Sequence, residues 1–516
     1  MSARVLAIGL DAASATLVGR WTDRGYLPNI AALRKRAAVF RLDAECMETL
    51  PGAIWSDISY GEPAQKHGHF YHPTQFSPRS GMPSPLRDEE IVSEHLFWQA
   101  ASDQGLRCAV VDVPFMPLLS GFNGVQIREL AIHDHAFGFK SSPPEVMEDF
   151  VARYGEPPMH GRTCDIAAEV EGRTVVSQML RRRARYKTSV LMELMQREPW
   201  DLFFAVMGDC HCGTHYLWPL RDSEGKWVSP VEGTSDIWEP LREIYRLMDE
   251  GVGQLIDAAG PDAKIILFSS HGVGTYLGGP QLIGEVLRRT HLSDGWDWPG
   301  RRQLRASALR LRNRTGARLA EEMPLAKTSV LVGLRAFLGA TRLPQAYGRC
   351  KAYSVSNNRI GAVSVNLAGR ERHGTVTASE APAVLDEVTR LLERLEDPVT
   401  GQRLVKYIER TEDLYGSSRA ATLPDLIVKF HANLGPLDRA WSPATGHFHV
   451  PNEKPYYRRS GDHVPQARAW VCAGDYPVGA SGRGNVLDLG PTILELAGVE
   501  RPPHMTGTPL NSHLTT

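Results

Sequence analysis

"DLFFAVMGDCHCGTHYLW", residues 201–218, runs from an unbroken apolar stretch straight into a cluster of Asp, Cys and His. Continuous apolar runs that end in turn residues are the mark of strands buried on both faces of a largely parallel sheet. Working outward, the same pattern recurs in "RVLAIGLD" (4–11), "RCAVVDVP" (107–114), "AKIILFSSHG" (263–272) and "ARAWVCAGD" (467–475). Helical stretches lie between them, including "LPNIAALRKRA" (27–37) and "TVVSQMLRRRARYKTSVLMELMQ" (174–196). This alternation predicts a doubly wound α/β fold, a mostly parallel central sheet with helices on both faces. In such sheets the chemistry collects at the carboxyl ends of the strands.

With 516 residues the chain is long for one compact domain, so the α/β core is expected to carry an insertion. From Arg301 to Lys351 there are 12 Lys/Arg against 2 Asp/Glu, and Arg recurs along "RRQLRASALRLRNRTGARLAEEM". Residues 281–350 are therefore read as a basic helical insertion or cap, between a first core part (1–280) and the remainder of the core (351–516). Strand character returns in "YSVSNNRIGAVSVNLAGRE" (353–371), and 142–163 reads as loop and short helix.

A net charge of −1 gives no pull toward nucleic acid or an anionic membrane. No apolar stretch approaches the roughly 20 residues that span a bilayer, and "MSARVLAIGLDAA" reads as a first buried strand, not a signal peptide. Seven scattered cysteines form no disulfide framework and point to a reducing, cytoplasmic setting. Cys210 and Cys212 are close, but C-x-C lacks the second pair that a structural zinc knuckle needs. They read as small apolar filler.

The residues just past the strand ends are hard metal ligands. Asp11 follows the first strand, Asp209, His211 and His215 follow a central one, and His271 follows another. His463, in "SGDHVP", precedes the last. A lone His in such a place is usually a satisfied polar residue, but several at one sheet edge point to a metal site. His211 and His215 are four apart, which on a helix puts both imidazoles on one face. Imidazole and carboxylate ligands suit Zn²⁺ first and Mn²⁺ second.

A second segment, "METLPGAIWSDISYGEPAQKHGHFYH" (47–72), puts Thr49 before Pro51 and an amphipathic stretch ending at Gly61. Thr49 is expected at the N-cap of a helix whose N–H groups could receive an anion. A hydroxyl there, beside a metal, could attack phosphorus.

Taken in order, Asp11, Thr49 with "LP…W…G…P…KHG", a ligand-xxx-His pair, "HGVG" and a late "GDH" resemble the alkaline phosphatase superfamily. The branch they resemble is that of the type I phosphodiesterases and nucleotide pyrophosphatases, with the related predicted phosphohydrolases/phosphomutases. The resemblance runs from residue 4 to about residue 480 and includes "SVNLAGRERHG" (364–374). It implies a hydrolase that cleaves a phosphoester of a small molecule, a diester before a monoester, through a Thr nucleophile and a covalent phospho-enzyme. One ion would be held by His211, His215 and His463, and a second by Asp11, Thr49 and the pair ending in His271.

The chain departs from that pattern in three places. Ser270-His271-Gly272 stands where the family has Asp-His-Gly, and His211 stands at the Asp of the Asp-xxx-His pair, with Asp209 two residues upstream as a ligand or outer-shell carboxylate. The Thr49–His67 spacing is longer than in the pyrophosphatases, which makes Ser56 a rival nucleophile and brings His72 to the place of a phosphate-contacting Asn. Losing two carboxylates should weaken the second site, so one or two ions are expected. Two alternatives stay open: a phosphotransferase or mutase on the same site, and a non-catalytic metal-binding relative. A sulfatase would need a C/S-x-P-x-R motif, which "CMETLP" does not supply.

Overall fold

The computed structural model describes residues 3–44, 53–69, 74–77, 82–85, 95–131, 138–158, 173–219, 236–276, 278–293, 350–355, 359–371, 374–416, 423–431, 437–450 and 460–515. Thr49, His72 and nearly all of the basic segment lie outside them.

Nine strands make the central sheet: β1 (Ala3–Leu10), β2 (Ala38–Asp43), β3 (Cys108–Val111), β4 (Gly124–Arg128), β5 (Lys140–Ser142), β6 (Trp200–Met207), β7 (Lys264–Ser269), β8 (Ala467–Cys472) and β9 (Ser481–Asn485). Their order is β9-β2-β8-β7-β1-β6-β3-β4-β5. The pairs β7-β1, β1-β6, β6-β3 and β3-β4 are parallel, whereas β8 is antiparallel to both β7 and β2, and β5 is antiparallel to β4.

Alternation along the strands fills two cores. Leu6, Ile8 and Leu10 of β1 face one side, with the helices Ala15–Asp23, Arg173–Arg197 and Glu239–Ala259. Val5 and Ala7 face the other, with the helices Ile54–Tyr60, Phe97–Asp103 and Leu489–Ala497. Burial on both faces is why these strands read as continuous apolar runs. The doubly wound architecture with a mostly parallel sheet is the one expected.

Between β7 and β8 the chain builds a second, antiparallel sheet from Ala352–Ser354, Ile360–Val365, Leu426–Phe430 and Val405–Arg410. The helices Gln281–Arg289 and Ala381–Glu393 pack on it through Leu282, Ile283, Val286, Val384, Val388 and Leu392. Thus the described start of the 281–350 segment is a helix of this second core. The outgoing strand Gly272–Thr275 pairs antiparallel with the returning Gly461–Val464, which sets Val273 opposite His463. That ladder explains the position of His463 before its strand. β8 runs against its neighbours, so its start lies at the same sheet edge as the ends of β1, β6 and β7.

One local reading changes. The 142–163 stretch contains a full helix, Pro144–Tyr154, with Val146 and Phe150 in the core. Of the helix expected to start at Thr49, the stretch Ile54–Tyr60 is described and ends at the left-handed Gly61, whereas Thr49 itself lies outside the described residues.

Candidate metal centre

Directly after β6 the chain forms the helix Asp209–Leu217, every residue of which is buried. The four-residue spacing puts His211 and His215 on one face, as expected. Across from them, His463 enters from the returning strand. His211 Nε2 is 2.9 Å from His463 Nε2 and 3.1 Å from His215 Nε2, and His215 Nε2 is 3.1 Å from His463 Nε2. Three imidazole nitrogens so converge on one point.

The triangle fits a metal ion. Tetrahedral zinc with N bonds of about 2.05 Å needs ligand nitrogens about 3.3 Å apart, within a few tenths of an ångström of what is present. His215 Nδ1 donates to the carbonyl of Gly461 at 2.7 Å, which leaves the Nε2 lone pair facing the other two rings. Gly461 permits this, because a Cβ there would come within 2.3 Å of the Thr214 carbonyl oxygen. Among the described residues, His211, His215 and His463 are the one group of three or more His, Cys, Asp or Glu whose ligand atoms converge this closely.

Asp11 follows β1, and the next residue, Ala12, has φ 54°, a left-handed turn that is uncommon away from glycine. Its carboxylate accepts the Trp55 indole N–H at 2.9 Å and lies 3.8 Å from His211 Nδ1. Gly9 makes room for Trp55: a Cβ there would sit 2.8 Å from its ring. Burial raises the Asp11 pKa to about 6 against the pull of the Trp55 N–H, the Lys187 cation and the Ser270 hydroxyl.

His271 follows β7 and lies beside this carboxylate, with Nδ1 4.0 Å from Asp11 and 2.9 Å from Ser270 Oγ. Its ring packs edge-on against His463, centroids 4.3 Å apart. Its Nε2 is buried with no hydrogen-bond partner among the described residues, and burial lowers its pKa to about 3. Asp11, Ser270 and His271 thus form a second cluster adjoining the first. It has one carboxylate where the family resemblance implies two.

Asp209 goes elsewhere. Its Oδ1 accepts the Nε–H of Arg183 at 2.7 Å, both residues are buried, and the same guanidinium reaches Cys212 Sγ. One turn along that helix, Lys187 pairs with Asp112 at 2.7 Å and donates to the Val206 carbonyl. Cys210 packs on Met248, its thiol held well above the ordinary pKa by burial, consistent with filler. Ser56 Oγ is 2.9 Å from His69 Nδ1, and His67 Nε2 is 2.7 Å from Asp57, contacts that tie the helix Ile54–Tyr60 to the turn after it.

Sequence reasoning missed Trp55 as the donor to Asp11 and Arg183 as the partner of Asp209. A signal for Arg183 existed. It falls on the stripe Val176, Leu180, Ala184, Val190, Leu191 and Leu194, where the pattern asks for an apolar side chain.

A family model described as type I phosphodiesterase / nucleotide pyrophosphatase matches residues 5–452. Among solved structures, an inactivated murine ectonucleotide pyrophosphatase / phosphodiesterase 5 in complex with AMP is similar at a TM-score of 0.51 and 9% identity, over 100% of this chain and 100% of that chain. The phosphonoacetate hydrolase of Sinorhizobium meliloti 1021, in complex with phosphonoformate, is similar at a TM-score of 0.51 and 11% identity, over 96% of each chain. At such identities the likeness is one of fold. No curated protein matches the chain by sequence.

Proposed function

The chain belongs to the type I phosphodiesterase / nucleotide pyrophosphatase family of the alkaline phosphatase superfamily, and from that premise we propose that it hydrolyses a small-molecule phosphodiester with a divalent ion, zinc before manganese, held by His211, His215 and His463. It is an enzyme of phosphoester hydrolysis. The observation that carries the metal reading is the triangle of three Nε2 atoms 2.9–3.1 Å apart at the carboxyl edge of the sheet.

The ion would supply Lewis-acid polarisation of a phosphoryl oxygen and lower the pKa of a hydroxyl beside it. The protein's residues do the rest. Thr49, carried over from the family pattern, attacks phosphorus through Oγ. The ester oxygen leaves with the bridging electron pair, the proton lost by Thr49 and the one gained by that oxygen being exchanged with solvent. Water then attacks the phospho-threonine, which releases the phosphomonoester and restores the Thr49 hydroxyl. Asp11 faces the His211 Nδ1 from 3.8 Å, close enough to favour a proton there, and the Trp55 N–H fixes Asp11. Ser270 and His271 bring no second carboxylate, so a second ion is held weakly at most.

The described helices include none long and apolar enough to cross a membrane. No disulfide joins the described cysteines; a reducing, cytoplasmic setting is the one that the scattered cysteines of the sequence point to.

The test is turnover of an aryl phosphodiester, an aryl phosphomonoester and an aryl sulfate, with metal content measured on the same samples. Chelation should abolish diester turnover, and zinc or manganese should restore it. Full activity of the metal-free protein would overturn the reading.

A further inference from the structure

Away from the three-histidine centre, the register of the central sheet lines up three arginines. Arg468 of β8 lies directly opposite Arg41 of β2, and Arg41 lies directly opposite Arg483 of β9. Residues paired in this way stand on one face of the sheet. It is the face of Val39 and Trp470, which pack on the core of Leu6, Ile8 and Leu10. The helix Pro28–Arg34 packs beside β8 and brings a fourth cation, Arg34, to its end. Burial holds the Arg468 guanidinium below its ordinary pKa, and repulsion from Arg41 and Arg34 adds to the effect.

Like charges directly opposite on adjacent strands destabilise a sheet. Two carboxylates near the row are already engaged. Asp43 accepts from Arg483 Nε at 3.1 Å and NH2 at 3.0 Å, and Asp23 takes Arg34 at 2.8 Å. Arg41, exposed, and Arg468, half-buried, pair with no carboxylate among the described residues. The Nε of Arg468 is also buried with no hydrogen-bond partner among them. An N–H taken out of water without a partner costs free energy. A lone unmatched arginine would mean little; here the register forces two together, one strand spacing of about 4.8 Å apart. Their two charges are matched by one dianion.

We propose that Arg41 and Arg468 bind a phosphate dianion, free or as a monoester, between their guanidiniums, at a site separate from the metal centre. Each planar fork can give paired N–H donors to the tetrahedral oxygens. Arg34 and Arg483 add positive charge at the rim. β2 is three places from β1 in the sheet, so Arg41 stands about 14 Å from the strand that leads to Asp11. Nothing in this arrangement depends on the function proposed above.

The test is calorimetric titration of inorganic phosphate and of phenyl phosphate into the full chain at fixed ionic strength. Chelator-treated protein is used, so that ions at the three histidines contribute no binding. Arg41→Gln and Arg468→Gln should each weaken binding about tenfold to a hundredfold, as loss of one charge-assisted contact does. Arg36→Gln, at an exposed cation near Arg41 in sequence but outside the row, should bind like wild type. In phosphate-free, low-salt buffer Arg41→Gln should melt about 1 °C above wild type, because a like-charge contact is gone. Tighter binding of inorganic phosphate would assign the free ion, and tighter binding of phenyl phosphate a monoester. Equal binding by wild type and both row variants overturns the proposal. So does equal weakening in Arg36→Gln, which would reduce the effect to diffuse charge. An Arg41→Gln that melts below wild type without phosphate also counts against it, since a protein partner would then hold Arg41. Binding to vesicles of anionic lipid but to neither phosphate would make this face a membrane contact instead.

Discussion

Arg183 and Asp209 form an ion pair at 2.7 Å with side-chain exposures of 2% and 1%, just behind the helix that carries His211 and His215. Such a pair anchors the first turn of that helix, and breaking it strands a buried charge. Arg183→Ala should destabilise the metal-free protein by about 3–5 kcal/mol in urea unfolding. Replacing both partners, Arg183→Met with Asp209→Leu, should recover most of that loss. Asp209→Asn should keep its zinc. If zinc is lost from Asp209→Asn while Arg183→Ala unfolds like wild type, Asp209 is a ligand and not an anchor.

The nucleophile is tested at two hydroxyls. Thr49→Ala should lower kcat by about 10³-fold or more, as loss of an attacking group does, while Thr49→Ser keeps part of the activity. Ser56 Oγ is engaged by His69 Nδ1 at 2.9 Å, so Ser56→Ala should alter stability more than turnover. Steady-state rates on an aryl phosphodiester decide it. An active Thr49→Ala beside a dead Ser56→Ala would transfer the role to Ser56.

The sheet was legible because β1, β3, β6, β7 and β8 are buried on both faces, and such strands declare themselves as apolar runs. The three-histidine set was legible because it sits at their ends and because His211 and His215 have helical spacing. Other features were legible only in part. The helical stripe puts Arg183 and Lys187 where an apolar side chain is asked for, but nothing in "RRRARYKTS" names their partners, since only the fold brings Asp209 and Asp112 to them.

The titration of Asp11 and His271 gives the metal-free protein a distinctive pH response. Burial raises Asp11 from 3.8 to about 6, so its contribution to stability is full below 3.8 and lost as pH rises through 6. Burial lowers His271 from 6.5 to about 3, so its contribution is full above 6.5 and lost as pH falls through 3. Between about pH 4 and 6 the two slopes oppose and nearly cancel. Asp11→Asn removes one of them. The metal-free variant should then gain up to about 1.4 kcal/mol of stability per pH unit relative to wild type across that window. Urea unfolding of chelator-treated protein at several pH values measures it, and parallel profiles for the two proteins would mean that the groups do not titrate in this way.

Ser270 is where one substitution should change the number of ions. Its hydroxyl lies 3.5 Å from Asp11 Oδ1 and 2.9 Å from His271 Nδ1, so a carboxylate in its place would join those two groups as a third ligand. Ser270→Asp should therefore raise the zinc stoichiometry from one toward two in calorimetric titration of the metal-free protein. Without metal, the added charge beside Asp11 should destabilise the variant, because two buried carboxylates at close range repel. With metal, coordination to a cation can offset that cost. The two conditions separate the explanations. A variant that melts lower without zinc and recovers or exceeds wild type with it has regained a metal position. A variant that stays destabilised at saturating zinc has only been overpacked. If wild type already binds two ions tightly, and Asp11→Asn reduces them to one, then Asp11 is a ligand of a complete second site and Ser270 is no loss.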